Sequence, residues 1–321
     1  MSMGQPVDLG FGISLIDLYD LQTAQRTGAY VFHEEEVTII ETSASPSIPH
    51  LLKGLEAISI DLHDVKNIIV THIHLDHAGG AGMLLQHCPN ARVFVHPKGM
   101  RHLADPSRLI AGAKAVYGQS FDALFDPIVP IPEDRLIVKE DGETLQIGKN
   151  RTLTFLHTPG HANHHFSIYD QTSNGIFTGD TAGVFYPQLL SYGVELYLPS
   201  TSPNQFDPEA MRTSIERFMT LRPDRIYFGH FGMSTHTQVV WNQLHYWLPL
   251  FVQIGYDVVN EQMNLSFTEK TEAVSNRLFD HIQTFLRKQQ VPDDADVYKI
   301  LQLDLQVCAM GLVDYIEKQK R

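Results

Sequence analysis

The chain has 321 residues, enough for one large domain or two with a sizeable core. It is 43% hydrophobic and 19% charged, an ordinary globular composition, and no apolar run is long enough to cross a bilayer, so a membrane is not an expected partner. A formal net charge of −13 repels phosphate backbones and argues against nucleic acid, and two cysteines far apart, Cys88 and Cys308, give no disulfide framework.

Met1–Asp8 lacks a basic stretch followed by an apolar one, so no signal peptide is expected and the cytoplasm is the expected compartment. Residues 13–16, 29–32 and 37–40 read as short strands with hairpin spacing, closed by Glu41-Thr42-Ser43. Residues 47–59 read as a helix, with Ile48, Leu51, Leu52, Leu55 and Ile58 on one face. The apolar run Asn67-Ile68-Ile69-Val70 reads as a buried strand.

That strand leads into Thr71-His72-Ile73-His74-Leu75-Asp76-His77-Ala78-Gly79-Gly80. Three imidazoles and a carboxylate fall within six residues. His72 and His74 are two apart, so an extended segment points them the same way and lets them grip one ion. Asp76 and His77 are adjacent, and a turn is needed to aim both at a second point nearby. Imidazole suits zinc, iron, nickel and copper, and a carboxylate adds manganese.

A helix over 81–87 and a strand over 92–96 follow, a strand–helix–strand unit that fits a layered α/β sheet. His96, at the strand end, reads as structural or superficial. Residues 98–131 read as helices carrying aromatics, and Tyr117, Phe121 and Phe125 are candidate pocket-wall residues. Strands over 136–138, 143–147 and 152–157 lead to Thr158-Pro159-Gly160-His161-Ala162-Asn163-His164-His165, a second imidazole-rich loop. His164 reads as exposed or hydrogen-bonding. A strand pair over 165–169 and 175–178 ends at Gly179-Asp180-Thr181.

Residues 184–204 are rich in Tyr, Leu and Pro and read as an irregular specificity loop, with Phe185, Tyr186 and Tyr192 as candidate substrate contacts. Asp207-Pro208-Glu209 opens a helix, and residues 225–228 form the last core strand before Gly229-His230-Phe231-Gly232. His236 is a further candidate for the pocket. From about Thr237 the pattern is helical over 238–260, 268–289 and 293–318, and Lys318, Lys320 and Arg321 read as a solvated tail.

The ten-residue stretch from Thr71 resembles the HxHxDH signature of the metallo-β-lactamase fold hydrolases, in the form common to their binuclear members. Thr158-Pro159-Gly160-His161, Thr178-Gly179-Asp180-Thr181 and Phe228-Gly229-His230 match the family's later motifs in order, so the resemblance covers about residues 10–235. It implies a four-layer αββα sandwich of the α/β (α+β) class. The expected division is a catalytic domain over 1–236 and a helical region over 237–321 that serves as cap, substrate-binding element or dimerisation element, with a homodimer left open.

Carried over residue by residue, the resemblance implies that His72, His74 and His161 hold one metal ion. Asp76, His77 and His230 would hold a second, with Asp180 bridging. His165 would stand behind the ligands. The cofactors implied are two divalent ions, zinc first and iron or manganese as alternatives. A metal-bridging hydroxide would attack a small-molecule substrate at a lactone, thioester, carboxylic ester or phosphoester bond, with Asp76 as ligand and as candidate proton shuttle. Glu41 stands where the family often has Asp, and reads either as a superficial strand-end acid or as a neighbour of the metals.

Two features depart from named relatives. Some lactonases carry a Tyr three residues after the bridging Asp, where this chain has Gly183. Glyoxalase II-like thioesterases continue Gly-Asp-Thr with Leu-Phe, where this chain has Ala182-Gly183. The alternatives to a hydrolase are an iron-dependent sulfur or persulfide dioxygenase and a catalytically silent ligand-binding protein of the same fold.

Overall fold

The computed structural model describes residues 5–320; Met1–Gly4, in the segment read for a signal peptide, and Arg321 of the basic tail lie outside the described residues. The chain divides into two compact units that interleave in sequence. The first takes Met1–Thr158, His164–Gly179 and Pro223–Thr235, and the second takes Pro159–Asn163, Asp180–Arg222 and His236–Arg321. The terminal helices therefore share a unit with residues that come well before position 237.

The first unit is built on two sheets. In the seven-stranded sheet, spatial order follows chain order: Val7–Asp8, Ile13–Asp17, Gly28–Phe32, Val37–Ile40, Val65–Ile69, Arg92–Val95 and Leu136–Val138. The first four strands pair antiparallel in succession. The last four pair parallel, which requires crossovers, and Ile48–Ala57 and Ala81–His87 supply two of them. The six-stranded sheet runs Met233–Ser234, Arg225–Tyr227, Gly175–Phe177, Phe166–Asp170, Arg151–His157 and Thr144–Gly148.

Side chains alternate across a strand, and here both faces of the first sheet are buried. Val31, Ile39, Ile68 and Val93 face Leu51, Leu55 and Leu84 of the covering helices. Tyr30, Phe32, Ile69 and Phe94 face the other way and join Phe155, Phe166, Phe177 and Tyr227 of the second sheet. Burial on both faces explains why these strands read as continuous apolar runs. Phe177 stacks on Tyr227 of the adjacent strand at 4.3 Å and meets Tyr30 and Phe32 of the first sheet at 5.0 and 5.4 Å, so aromatic rings bridge the two sheets.

The expected helix over 47–59 is Ile48–Ala57, preceded by a 3-10 turn over Ser45–Ser47. The helices in 98–131 are Met100–Ala104, Ser107–Tyr117 and Phe121–Phe125. Phe121 and Phe125 are buried with Ala44 and Leu75, so their rings hold this segment against the loop that carries Asp76.

The second unit contains Pro208–Leu221 and three long helices, Thr237–Glu261, Phe267–Lys288 and Val297–Gln319. The Asp207 carboxylate accepts from the amides of Glu209 and Ala210 and starts the first. Ser266 and Glu269 form a reciprocal capping box at the start of Phe267–Lys288. The last helix was expected from Asp293 but begins at Val297. Asp293 instead accepts two hydrogen bonds from Arg287, at 2.7 and 3.0 Å, which holds it in the preceding turn. Residues 184–204 are more regular than expected: Val184–Phe185 pairs with Tyr197–Leu198, and Pro187–Tyr192 is 3-10 helical. Among the described residues, no helix is long and apolar enough to cross a membrane.

Candidate metal centre

The ligand-rich stretch lies at the C-terminal end of the buried strand Val65–Ile69. The turn expected between His74 and His77 is a single helical turn, Leu75–Ala78, preceded by His74 in extended conformation. The amides of His77 and Ala78 donate to the His74 carbonyl at 3.0 and 2.9 Å. The Thr42 amide and hydroxyl both donate to the His77 carbonyl, at 3.0 and 2.9 Å, and the Gly80 amide donates to Ser43. The turn is thus fastened to the end of the neighbouring strand.

This geometry brings five predicted ligands of the first unit together. The His72 and His74 rings approach with Nε2 and Nδ1 3.1 Å apart, and the His72 and His77 rings are 4.1 Å apart. Asp76 Oδ2 lies 3.7 Å from His77 Nε2 and 3.6 Å from His230 Nε2. Asp76, His77 and His230 each offer one ligand atom, and the three atoms lie within 4.8 Å of one another. His72, His77 and His230 are buried.

His230 is placed by a tight loop. The Phe228 amide donates to the Gly232 carbonyl at 3.0 Å, and the buried Tyr30 hydroxyl lies 2.6 Å from the Phe228 carbonyl and 2.7 Å from that of Gly232. Nothing in the sequence around Tyr30 marks it for this task. Gly179, immediately before Asp180, has φ 48°, and a Cβ there would lie 2.5 Å from both His165 Nε2 and Thr71 Oγ1. Only glycine fits.

Glu41 is buried, so it is not a superficial acid. Its Oε1 accepts from the Thr71 amide at 3.1 Å, and its Oε2 is 3.3 Å from His77 Nδ1. A carboxylate on one ring nitrogen turns the other nitrogen toward a metal and raises its basicity. Glu41→Gln is expected to weaken divalent-ion binding by about 10- to 100-fold. Competition with a fluorescent chelator checks this, and unchanged affinity would remove Glu41 from the centre.

Asp20 went unnoticed in the sequence and is also buried. It accepts from Arg26 Nε at 3.2 Å and from the Ser43 hydroxyl at 3.3 Å. Burial raises its carboxyl above the usual range, Arg26 opposes that, and the Asp76 charge adds to the rise. His165 Nδ1 is 3.0 Å from the Thr158 hydroxyl, and its ring stacks 5.1 Å from that of His72. His164 is buried, its ring 6.3 Å from His72 and 5.4 Å from His74.

The second unit carries the other two predicted ligands as a pair: His161 Nε2 and Asp180 Oδ2 are 3.6 Å apart. Gly160 has φ 137°, and a Cβ on it would meet the backbone of Met211 at 2.3 Å, so the turn before His161 also demands glycine.

Residues 25–230 match the model of the metallo-beta-lactamase superfamily. The chain belongs to that superfamily. A metallo-beta-lactamase fold-containing protein of Sulfurisphaera tokodaii is 29% identical over 52% of this chain and 60% of its own length. A hydroxyacylglutathione hydrolase of Aeromonas hydrophila is 26% identical over 62% of this chain and 58% of its own. An acyl-coenzyme A thioesterase of Gallus gallus is 28% identical over 51% of this chain and 56% of its own. The chain thus spans under two thirds of the length of these relatives. In structure, a metallo-beta-lactamase family protein of Thermus thermophilus superposes with a TM-score of 0.68 at 18% identity, covering 98% of this chain and 95% of that one, which shows the shared fold.

Tyr117 is half-buried and packs edge-on against Phe125 at 4.9 Å. Phe185 is buried and stacks on Tyr197 at 5.0 Å, and Tyr186 is buried with its hydroxyl 3.0 Å from Asp304 Oδ2. Tyr192 is exposed. His236 is exposed and directly precedes Thr237–Glu261, its Nδ1 2.5 Å from Glu195 Oε1.

His96 is buried, and its Nε2 lies 2.8 Å from His157 Nδ1 while the Lys98 amide donates to its Nδ1. Burial, aided by His157 and Lys98, pulls its pKa down to about 4. The unfolded chain takes up this proton near the ordinary histidine value of about 6.5. Its contribution to stability is therefore complete above about pH 6.5, declines as pH falls, and is exhausted below about 4. Urea midpoints of metal-free protein between pH 7 and pH 4 are expected to fall less steeply for His96→Asn than for the parent chain. Equal slopes would exclude His96 as the source.

Proposed function

We propose that this chain is a metal-dependent hydrolase with two divalent ions, zinc foremost, acting on an acyl thioester. The observation that carries the reading is the convergence of Asp76, His77 and His230 within 4.8 Å. Imidazole and carboxylate donors suit a first-row divalent ion, so the residues fit the group. We propose as ligands the seven residues carried by the family motifs: His72, His74, Asp76, His77, His161, Asp180 and His230.

When bound, such ions supply a nucleophilic water at neutral pH and polarise the carbonyl under attack. The chain's own residues do the rest. Glu41 orients His77, Tyr30 fixes the loop of His230, and the short turn Leu75–Ala78 holds Asp76 beside both imidazoles. Asp76 Oδ2 faces two histidine nitrogens, where a carboxylate can act both as ligand and as acceptor of a proton passed to the leaving thiolate.

Two relatives bear thioester-cleaving names, which supports thioesters over lactones, carboxylic esters and phosphoesters. The net charge of −13 supports a small molecule over nucleic acid. The test is hydrolysis of one substrate from each of the four bond classes, using protein of measured metal content. Thioester turnover at least tenfold above the others is expected. Turnover confined to another class would overturn the bond assignment, and fully metallated protein inert on all four would overturn the hydrolase reading.

A further inference from the structure

The last helix, Val297–Gln319, meets residues 184–206 along one face. Asp304 Oδ2 accepts from the Tyr186 hydroxyl at 3.0 Å, and the Cys308 carbonyl accepts from the Thr201 hydroxyl at 2.9 Å. The Cys308 thiol donates to the Pro199 carbonyl at 3.6 Å. Tyr315 packs edge-on against Phe206 at 5.7 Å, and Lys318 Nζ donates to the Asn204 carbonyl at 2.6 Å. Positions 304, 308, 311, 315 and 318 recur every three or four residues, which is one stripe of a helix. At its centre Gly311 admits the strap Pro199–Ser202 closely. A Cβ there would lie 1.7 Å from the Thr201 carbonyl oxygen and 2.6 Å from the Ser202 carbonyl carbon.

The held strap touches both predicted ligands of the second unit. The Ser200 carbonyl accepts from His161 Nδ1 at 3.0 Å, and the Ser200 hydroxyl donates to Asp180 Oδ2 at 3.2 Å. The Ser202 hydroxyl lies 3.4 Å from His161 Nε2. A carbonyl on Nδ1 fixes the His161 tautomer that leaves Nε2 as the donor atom for a metal.

We infer that Val297–Gln319 is a splint for the metal centre: through the close seat at Gly311 it sets the strap Pro199–Ser202, and Ser200 in turn orients His161 and Asp180. This rests on the proposal that His161 and Asp180 are metal ligands. Ser200 is a positioning residue, and the helix works on ion binding from a distance, independently of any substrate.

The test uses the full-length chain and Co²⁺ alone, read by its visible ligand-field spectrum and by competition with a chelator. Gly311→Ala must displace backbone atoms, and is expected to weaken at least one Co²⁺ by about 10- to 100-fold and to change the spectrum. Gly255→Ala is the control: its Cβ would meet the tip of the Ile316 side chain at 2.8 Å, and it is expected to keep the parent spectrum. Ser200→Ala keeps the carbonyl but loses the hydroxyl, and is expected to alter the spectrum with little change in melting temperature. Ser200→Thr is expected to restore it. If Gly311→Ala does not fold, the Ser200 pair decides. Parent spectrum and affinity in Ser200→Ala would overturn the inference. A parent chain that binds no Co²⁺ would instead overturn the ligand assignment, a failure distinguishable from that of the splint.

Discussion

Asp76→Ala combined with His77→Ala is expected to remove one of two bound divalent ions and abolish hydrolysis. These residues supply two of the three converging donor atoms, and His230 supplies the third. Structural zinc sites bind with roughly 10–16 kcal/mol, which for four ligands is about 3 kcal/mol each. Losing two therefore costs about 6 kcal/mol, or about four decades of affinity. Metal analysis after dialysis against a buffered chelator reads the ion count, and a thioester assay reads turnover. The fold is expected to survive, because the Leu75–Ala78 turn is fixed through main-chain groups: the His77 carbonyl accepts from Thr42, and the Gly80 amide donates to Ser43. Two ions retained would remove Asp76 and His77 as ligands, and undiminished turnover would sink the binuclear mechanism.

Histidines, glycines and apolar runs made the metal-bearing loops legible. A metal ligand must be one of a few residue types, and a strand buried on both faces must be apolar throughout. Both constraints are local, so Asn67–Val70 followed by His72–His77 could be read directly from the chain. Tyr30, Asp20 and Ser200 were illegible because their roles depend on partners distant in sequence. Tyr30 serves the loop of His230 nearly two hundred positions away, and does so with the same side chain that fills the space between the sheets. Ser200 contacts His161 through its main-chain carbonyl, which no residue type announces. Glu41 was ambiguous for a related reason. A strand-end acid looks the same in sequence whether it faces water or His77.

The helical region shows the same limit at larger scale. Its periodicity predicted helices but not which face meets what. Cys308 is buried, with burial pushing its pKa up to about 12. The sequence offered no sign that the same residue braces Pro199 and Thr201. Capping explains where boundaries were found well. Asp207-Pro208 and Ser266 with Glu269 are local signals, whereas no side-chain cap marks the start at Val297.

Asp170→Ala is expected to produce the largest loss of stability of any single change considered. Arg151 is among the largest fully buried side chains. Its Nε and terminal nitrogen pair with the two Asp170 oxygens at 3.1 and 2.5 Å, while another nitrogen reaches Glu34 at 3.3 Å and also the Phe11 carbonyl. The cation also lies 4.5 Å over the Phe32 ring. Asp170 is equally committed, accepting from the Ser173 hydroxyl at 2.6 Å and from the amides of Thr172 and Ser173. Removing the carboxylate leaves a buried cation with one partly exposed carboxylate, Glu34, and the neutral Phe11 carbonyl, a loss of about 3–5 kcal/mol. Replacing both members by apolar residues, Arg151→Met with Asp170→Leu, removes the unpaired charge together with the pair. The double variant is therefore expected to be more stable than Asp170→Ala alone, despite carrying two changes. Urea unfolding of the three proteins checks the order. A loss below about 1 kcal/mol for Asp170→Ala would mean that Glu34 and the Phe11 carbonyl hold the guanidinium by themselves.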